Sequence, residues 1–354
     1  RLAPASLLDR TAEAARSSID AFTPRQLSTL LLSCAKLGHP APELFRAASA
    51  SAQERLEDFG PRHLSNLLWS YALADYRDGS LFAAAESVAV DNIQAFNAVD
   101  MTMMLQAYAS VGHNCPDVLN ACADEVPLMA SAFSPRELKG LVSSYASLQH
   151  FSEPVLGVAA EEMVRRAQAA KTDGREFSRD LPPRDLALFV RSYANLGYRA
   201  PAMLETLSEH AAANMEAFSG HDLAVVLRAY AALGHKSPLL FTAAGHRICK
   251  HGASFSPRSL ANVMWAYASV GIQSKSVMDA VADASLQKIS QFGPSDLAIM
   301  AWAYTGLQGR RKDLFDALAT EATANIDLLS MPDLSMFLFS MAKAGYYSPR
   351  LFME

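Results

Sequence analysis

The sequence predicts an all-α protein, an α-solenoid of about nine stacked helix–turn–helix repeats of 37 residues. Three observations predict this fold class: a motif recurs at constant spacing, apolar residues follow each copy at helical intervals, and the composition supplies a large core. Hydrophobic residues make up 51% of the 354 residues and charged residues 19%, which excludes a disordered chain. The formal net charge of −5 argues against a strongly basic nucleic-acid binder.

The recurring motif is Phe-x-Pro-Arg-x-Leu, with looser variants. Successive copies start 37 residues apart, except that the fourth and fifth start 48 residues apart. The additional residues fall mostly in the polar segment AAKTDGREFSRD, which predicts a surface loop inserted at about residues 169–180. Chance does not produce seven equal spacings. The nine copies start at Phe22, Phe59, Phe96, Phe133, Leu181, Phe218, Phe255, Phe292 and Leu329.

Each repeat predicts two helices, named here helix A and helix B. With the first motif residue as position 0, positions 1, 2 and 4 commonly carry an N-cap residue, a proline and a capping partner. Positions 5, 8, 9, 12 and 13 are nearly always apolar, which is the periodicity of helix A. A glycine at position 16 ends helix A in six copies, and a proline near position 20 starts helix B. The six glycines are Gly38, Gly112, Gly197, Gly234, Gly271 and Gly345.

The repeats predict a single domain over residues 1–354, because one hairpin cannot bury its apolar face alone. Residues 1–21 are expected to form the second helix of a partial repeat. The last repeat is expected to stop inside its helix B at Glu354. Both ends would expose an apolar face, so we expect either a longer native protein or a partner that covers them.

Helix A has an uneven distribution of charge. Positions 5–15 of the nine copies comprise 99 residues and contain none of the 36 acidic residues of the chain. At about 100° per residue, positions 3, 7, 10 and 14 form one stripe opposite the apolar face. This stripe holds nine Lys or Arg residues and all three tryptophans. We therefore expect single-stranded RNA or DNA to lie along the stacked A helices.

The candidate RNA-binding residues occupy three rows of the stripe. Position 3 lies beside the positive end of the helix dipole, which suits a phosphate. Its candidates are Arg25, Arg62, Arg136, Arg184, His221 and Arg258. Aromatic or Arg side chains at position 10 can stack on bases, and Asn or Gln side chains at positions 7 and 10 can read base edges. These base-contact candidates are Asn66, Trp69, Gln106, Ser143, Arg191, Arg228, Asn262, Trp265 and Trp302.

A packing interpretation of the same stripe stays open. The inner helices of solenoids are crowded and carry few charges of either sign. Tryptophan at position 10 can wedge between repeats, and arginine at position 3 can pair with an acid of the preceding helix B. Concave solenoid faces bind proteins as well as nucleic acids. The stripe thus predicts either an RNA contact or a packing and protein-docking surface.

We find no motif for catalysis, for a cofactor or for a metal in the sequence. His246, Cys249 and His251 do not share one helix face, as metal ligands would. Cys34 lies at position 12, where most copies have tyrosine, so this column predicts core residues whose tyrosine hydroxyls bond to the backbone. No apolar run is long enough for a membrane helix. Three histidines after the position-16 glycine are expected to complement a helix C-terminus: His39, His113 and His235.

The segments LSNLLWSYA, LANVMWAYASVG and LAIMAWAYTGLQ resemble the octotricopeptide and heptatricopeptide repeat families, which are related to FAST-kinase-like and RAP-domain organellar RNA-binding proteins. The resemblance spans essentially the whole chain, and the length of 37 favours the heptatricopeptide type. It implies an α-solenoid that binds, stabilises or matures organellar RNA, or that sits in an organellar ribosome. No RAP domain, the nuclease-like module at the end of many such proteins, is found before Glu354, so RNA cleavage is not predicted.

We therefore expect a non-enzymatic RNA-binding helical-repeat protein without a cofactor. The resemblance implies that it holds or stabilises organellar RNA, with rRNA as the ligand, as a component or assembly factor of a mitochondrial ribosome. The expected location is the mitochondrial matrix, with the plastid as the alternative. The acidic helix B face and the open ends would contact neighbouring proteins, and no membrane is expected. The alternative function is a protein-only scaffold or accessory subunit of an organellar complex.

Overall fold

The computed structural model describes residues 5–309 and 311–346. Every regular element in these residues is helical, which confirms the predicted all-α class. None of the described helices has both the length and the apolar character needed to cross a bilayer. The chain divides into two compact units, the first ending at Arg166 and the second starting at Ala167. The single array over residues 1–354 stays a prediction.

In the first unit, helices A and B alternate as predicted. The helices are α1 (Ala5–Ser17), α2 (Pro24–Lys36), α3 (Pro42–Gln53), α4 (Pro61–Leu73), α5 (Gly79–Asp91), α6 (Ala98–Val111), α7 (Pro116–Glu125), α8 (Pro135–Ser147) and α9 (Glu153–Thr172), which contains the boundary with the second unit. The A helices α2, α4, α6 and α8 pack each against the next, and the B helices α1, α3, α5 and α7 do the same. α1 precedes the first motif, where residues 1–21 were expected to form a second helix.

The second unit repeats this alternation. Its helices are α10 (Pro183–Leu196), α11 (Pro201–Ala213), α12 (Gly220–Ala232), α13 (Pro238–His251), α14 (Pro257–Ser269), α15 (Lys275–Leu286), α16 (Pro294–Gly306), α17 (Lys312–Ala324) and α18 (Met331–Lys343). The even-numbered helices are A helices and the odd-numbered ones are B helices, and each layer packs from neighbour to neighbour. The expected helix B of the last repeat, ending at Glu354, lies outside the described residues.

A capping side chain lies at the start of six of the nine described A helices. Each A helix begins at position 2, directly after an N-cap residue at position 1. The Thr23 hydroxyl accepts a hydrogen bond from the Gln26 amide, and the Gln26 side chain accepts one from the Thr23 amide. Ser134 and Glu137 form the same reciprocal pair at α8. Such a cap contributes about 1 kcal/mol, so the predicted capping positions have a direct energetic effect.

The end of helix A is a left-handed residue at position 16 in all nine repeats. The six predicted glycines have φ between 64° and 70°. The other three repeats place Asp75, Gln149 and Gln308 in the same conformation, with φ of 51°, 53° and 58°. The next amide then donates back to the carbonyl at position 12, as His113 does to Tyr108 over 3.0 Å. This is the hydrogen bond of a Schellman motif, and it closes every A helix at the same place.

The tyrosines at position 12 fix helix A to the helix B that precedes it. Tyr71 is fully buried, packs edge-on against Phe45 and donates a 2.6 Å hydrogen bond to the Phe45 carbonyl. This bond recurs between tyrosines and carbonyls 26 residues earlier, which confirms the predicted core role. Cys34, which replaces tyrosine in the first repeat, is also buried. The same bond is made by Tyr108, Tyr145, Tyr230, Tyr267 and Tyr304.

The insertion between the fourth and fifth repeats differs from the predicted loop. Its first residues continue α9 to Thr172, and a short 3-10 turn covers Phe177–Arg179. The loop expected at about residues 169–180 is therefore confined to a shorter stretch. Ala170 is 1% exposed and Phe177 is 6% exposed. The predicted loop was too long because the segment carries buried apolar side chains, and Phe177 packs edge-on against His210 at 5.1 Å, a contact that a polar composition does not reveal.

Candidate nucleic-acid interface

The six predicted phosphate-binding residues all lie on the protein surface. Each is the second residue of its A helix, and each is exposed. The positive end of the helix dipole lies beside them. The placement is therefore the one that phosphate binding needs, while the role itself stays a prediction. The six residues are Arg25, Arg62, Arg136, Arg184, His221 and Arg258.

The row at position 10 lies at the edge of the packing rather than inside it. Trp69, Trp265 and Trp302 are all partly exposed, and Arg191 is exposed. At the same position in the last repeat, Phe339 is 65% exposed. A tryptophan that only wedged between repeats would be buried. The row is thus accessible to a ligand in both units.

In the first unit the stripe opens into a groove of about 1070 Å³ lined by residues of α2, α4 and α6, called here the α2–α6 groove. Four of the predicted residues line it: Arg25, Arg62, Asn66 and Trp69. Lys36, at position 14 of the same stripe, adds a third cationic side chain. The fold thus brings together two phosphate candidates, an amide and an aromatic platform from adjacent repeats.

One acid, Asp100, also lines this groove, and the sequence patterns did not predict it there. Asp100 lies at position 4 of its repeat and is only 6% exposed. Burial raises the pKa of the Asp100 carboxyl, whereas the charge of Arg62 and a hydrogen bond from Asn97 act in the opposite direction. Its charge offsets part of the positive potential that Arg62 would otherwise offer to a phosphate.

A glycine brings two A helices close together in the first unit. Gly140, at position 7 of α8, has no side chain, and an added Cβ would lie 2.6 Å from the Gln106 side-chain nitrogen and 2.7 Å from the Thr102 methyl carbon. Gln106, predicted to contact a base, therefore lies against α8. Ser143, predicted with it, is partly exposed on the same helix.

In the second unit, three of the predicted base-contact residues contact one another. The Arg228 guanidinium lies over the Trp265 ring at 4.5 Å from its centroid, and it donates a 2.7 Å hydrogen bond to the Asn262 side-chain oxygen. Burial and the charge of Arg258 lower the pKa of Arg228. The guanidinium thus covers a ring face on which a base would stack.

A neighbouring phosphate candidate, Arg258, is already paired with an acid. Arg258 donates a 2.9 Å hydrogen bond to Asp296, which is 6% exposed. Burial raises the pKa of Asp296, and Arg258 opposes that shift. The packing alternative placed such an acid on the preceding helix B, whereas the acid that pairs with Arg258 belongs to the next A helix. Ser295 and Asp333 form a hydrogen bond with the same spacing of 38 residues.

Comparison with known proteins assigns the chain to a family. The family model of the RNA-editing substrate-binding complex 6 protein, RESC6, matches residues 5–172 and 156–349. The chain belongs to the RESC6 family. The narrower relation to heptatricopeptide and octotricopeptide proteins stays a prediction. No curated protein matches this RESC6-family chain.

Two solved structures are similar to the RESC6-family chain at low identity. Both contain the pentatricopeptide repeat protein PPR10 in complex with an 18-nt psaJ RNA element, one of them with three cysteine-to-serine substitutions. Each shares 12% identity, covers 99% of this chain and has a TM-score of 0.21. The chain spans 63% of the length of either structure. A TM-score this low does not establish a shared arrangement.

The structure places each of the histidines that the sequence analysis singled out in the RESC6-family chain. Within the described residues, no three His, Cys, Asp or Glu side chains converge as metal ligands. His246 and Cys249 are exposed, and His251 lies 3.7 Å from Glu216. The histidines that follow helix A instead contact carboxylates, as His113 does with a carboxylate oxygen 2.7 Å away. The expected dipole role therefore has an additional component, a contact with a carboxylate of helix B.

The sequence patterns did not reveal that acids at position 4 of the RESC6-family chain face the stripe residues at position 3 of the preceding repeat. Its acids were interpreted only as capping partners. A residue at position 3 and the residue 38 positions later lie side by side on adjacent A helices, as Arg258 and Asp296 do. The constant repeat length would have revealed this row. The position-4 acids are Asp100, Glu137, Asp185, Asp222, Asp296 and Asp333.

Proposed function

We propose that this RESC6-family chain is a non-enzymatic helical-repeat protein that binds single-stranded RNA along the A-helix stripe of each unit. The observation that carries the proposal is the surface placement of cationic residues beside helix N-termini, together with a row of partly exposed aromatic and amide side chains. Phosphates and stacked bases need these two kinds of contact. The family name, which describes an RNA-editing substrate-binding complex, supports RNA as the ligand class.

We further propose that the RNA is organellar and that the chain works within a larger ribonucleoprotein complex. The net charge of −5 supports this view, because a free high-affinity RNA binder is commonly basic. Neighbouring proteins would contact the acidic helix B face. The narrower roles, an rRNA-binding component or assembly factor of a mitochondrial ribosome, or an equivalent role in a plastid, stay predictions.

The test is RNA binding across a salt series, measured by fluorescence anisotropy with a labelled single-stranded oligoribonucleotide and the full chain. Affinity should fall as salt rises, since phosphate contacts release counterions. Replacing the four stripe arginines by glutamine should weaken binding and flatten the salt dependence, with helicity unchanged. The four are Arg62, Arg136, Arg184 and Arg258.

A matched control removes the same charge elsewhere. Arg46, Arg77, Arg165 and Arg179 are exposed side chains that pair with acids outside the stripe. Replacing these four by glutamine changes the net charge equally and should have a much smaller effect on binding. If both quadruple variants lose affinity alike, binding reflects overall charge and the stripe is not the site.

The second candidate function is a protein-only scaffold. The pairs of Arg258 with Asp296 and of Arg228 with Trp265 favour it, because both occupy stripe residues with partners inside the chain. A scaffold would show no RNA affinity at any salt concentration. The salt series therefore distinguishes the two functions directly.

A further inference from the structure

The A-helix stripes of the two units are not equivalent. In the first unit the stripe residues line an open groove, whereas between α12 and α16 of the second unit they bond to one another. The difference arises at two rows: the residue that faces position 3 from the next repeat, and the side chain that covers the tryptophan at position 10.

Arg25 differs from Arg62 and Arg258 in the residue that faces it from the next repeat. The residue 38 positions after Arg25 is His63, where the corresponding partner of Arg62 is Asp100 and that of Arg258 is Asp296. Both Arg25 and His63 line the α2–α6 groove. Among the described residues, the Arg25 side chain makes no hydrogen bond or ion pair, so an anion can bind it without breaking an existing contact.

The ring of Trp69 is uncovered, whereas the ring of Trp265 is covered by another side chain. Trp69 lines the groove beside Asn66, and no guanidinium or aromatic ring of the described residues lies over it. Trp265 has Arg228 on its face, and Arg228 is held there by Asn262. A base that stacked on Trp265 would first have to displace this guanidinium, whereas a base could stack on Trp69 directly.

We propose that the α2–α6 groove is the principal RNA-binding site of the chain. In this site Trp69 stacks on one base and Asn66 contacts the edge of that base. Arg25 and Arg62 bind the flanking phosphates. This inference rests on the proposed function and narrows it to one site. Between α12 and α16, stripe residues already bond to partners within the chain, so this part of the stripe contributes less to RNA binding. The ligand class is a short single-stranded segment with an accessible base and adjacent phosphates.

The chain has three tryptophans, all on the stripe, so tryptophan fluorescence can report on each of these positions separately. Three variants each retain one tryptophan and carry phenylalanine at the other two positions. They are titrated with an oligouridylate of about ten nucleotides, one per repeat. At saturation, fluorescence of Trp69 should be quenched strongly by base stacking, and that of Trp265, whose ring Arg228 covers, should change much less.

Binding affinities provide the second readout. Trp69→Ala should raise Kd by about 5- to 150-fold, the usual range for loss of one stacked base. Trp265→Ala should raise it by a clearly smaller factor. Arg25→Gln should lower the slope of log K against log salt by about 0.7, the value for one phosphate on a single strand. Arg25 is exposed and unbonded among the described residues, so this variant should fold normally.

A gain of affinity offers an independent check. Asp100→Asn removes the acid that lines the groove and keeps the side-chain shape. It should tighten RNA binding by a few-fold at low salt, about 1 kcal/mol or less for a charge a few ångströms from a phosphate in a wet groove. A side chain with only a structural role would not produce a salt-dependent gain.

The outcomes separate this inference from the proposed function. If the wild-type chain binds no RNA, the proposed function fails and the inference fails with it. If RNA binds but Trp265 or Trp302 is quenched while Trp69 is not, the groove assignment is overturned and RNA binding stands. If oligoglutamate quenches Trp69 as strongly as the oligouridylate does, the groove is an acidic-peptide site and the assignment is wrong.

Discussion

The left-handed residue at the end of each A helix allows a quantitative test of how the repeat is stabilised. Gln149 adopts φ of 53° at position 16, where six repeats use glycine. This conformation costs a non-glycine residue about 1–2 kcal/mol, and glycine costs about 0.5–1 kcal/mol more to order from the unfolded chain. Gln149→Gly should therefore stabilise the first unit by a net of about 0.5–1 kcal/mol. The Gln149 side chain is exposed, so its removal should cost little.

The change in stability is measured at a single backbone amide, because repeat arrays need not unfold in a single step. The His150 amide, which donates to the Tyr145 carbonyl over 2.9 Å, should exchange with deuterium about 2- to 5-fold more slowly in the variant. The midpoint of urea unfolding should rise as well. The matched control is Gly112→Ala, because Gly112 has φ of 70° and its Cβ would meet no atom within 4 Å. It should destabilise through strain alone, and a neutral Gly112→Ala would refute the reasoning.

Three further predictions concern stability. Tyr145→Phe leaves the buried Leu119 carbonyl without its 2.6 Å hydrogen bond and should cost about 1–3 kcal/mol in urea unfolding; a neutral result would contradict the anchoring role. Gly140→Ala places a Cβ 2.7 Å from the Thr102 methyl carbon, and the overpacking, less the gain from removing a mid-helix glycine, should leave a net cost of about 0.5–2 kcal/mol, with α6 and α8 losing protection in hydrogen exchange if the close approach is real. Burial lowers the pKa of His210, so the unfolded chain binds the proton more tightly and stability should fall as pH drops below about 6.5; His210→Gln should remove this part of the slope, and an unchanged slope would count against burial as its cause.

The helix boundaries were predictable because local chemistry sets them. Capping pairs such as Thr23 with Gln26 act over three residues, and the glycine at position 16 acts on its own backbone. Even the three repeats without glycine keep the left-handed end, and each of them retains the tyrosine at position 12 whose carbonyl accepts the closing hydrogen bond. The insertion was predicted less well. Burial of Phe177 depends on residues that lie far away in the sequence, and composition does not record such contacts.

The accessible stripe was predictable for a related reason: a helix of constant period repeated at constant length must align the same position on successive A helices. Periodicity within one helix could not predict which side chains of adjacent A helices contact each other. Arg228 reaches Trp265 and Arg258 reaches Asp296 only because adjacent A helices pack closely. Side-chain pairing across repeats therefore occupies Arg228, Trp265 and Arg258 in the second unit, whereas Arg25 and Trp69 in the first unit have no such partner among the described residues.

This division has a thermodynamic consequence for any RNA that follows the stripe. Five free position-3 arginines, each bound to one phosphate of a single strand, would give a slope of log K against log salt of about 3.5 in magnitude. A phosphate that binds Arg258, however, must replace Asp296, which loses a hydrogen bond and leaves a nearly buried carboxyl without its partner. Such an exchange contributes little free energy, because one anion substitutes for another. The measured slope should thus fall below about 3.5, and a slope near that value would mean that the Arg258–Asp296 pair opens when RNA binds.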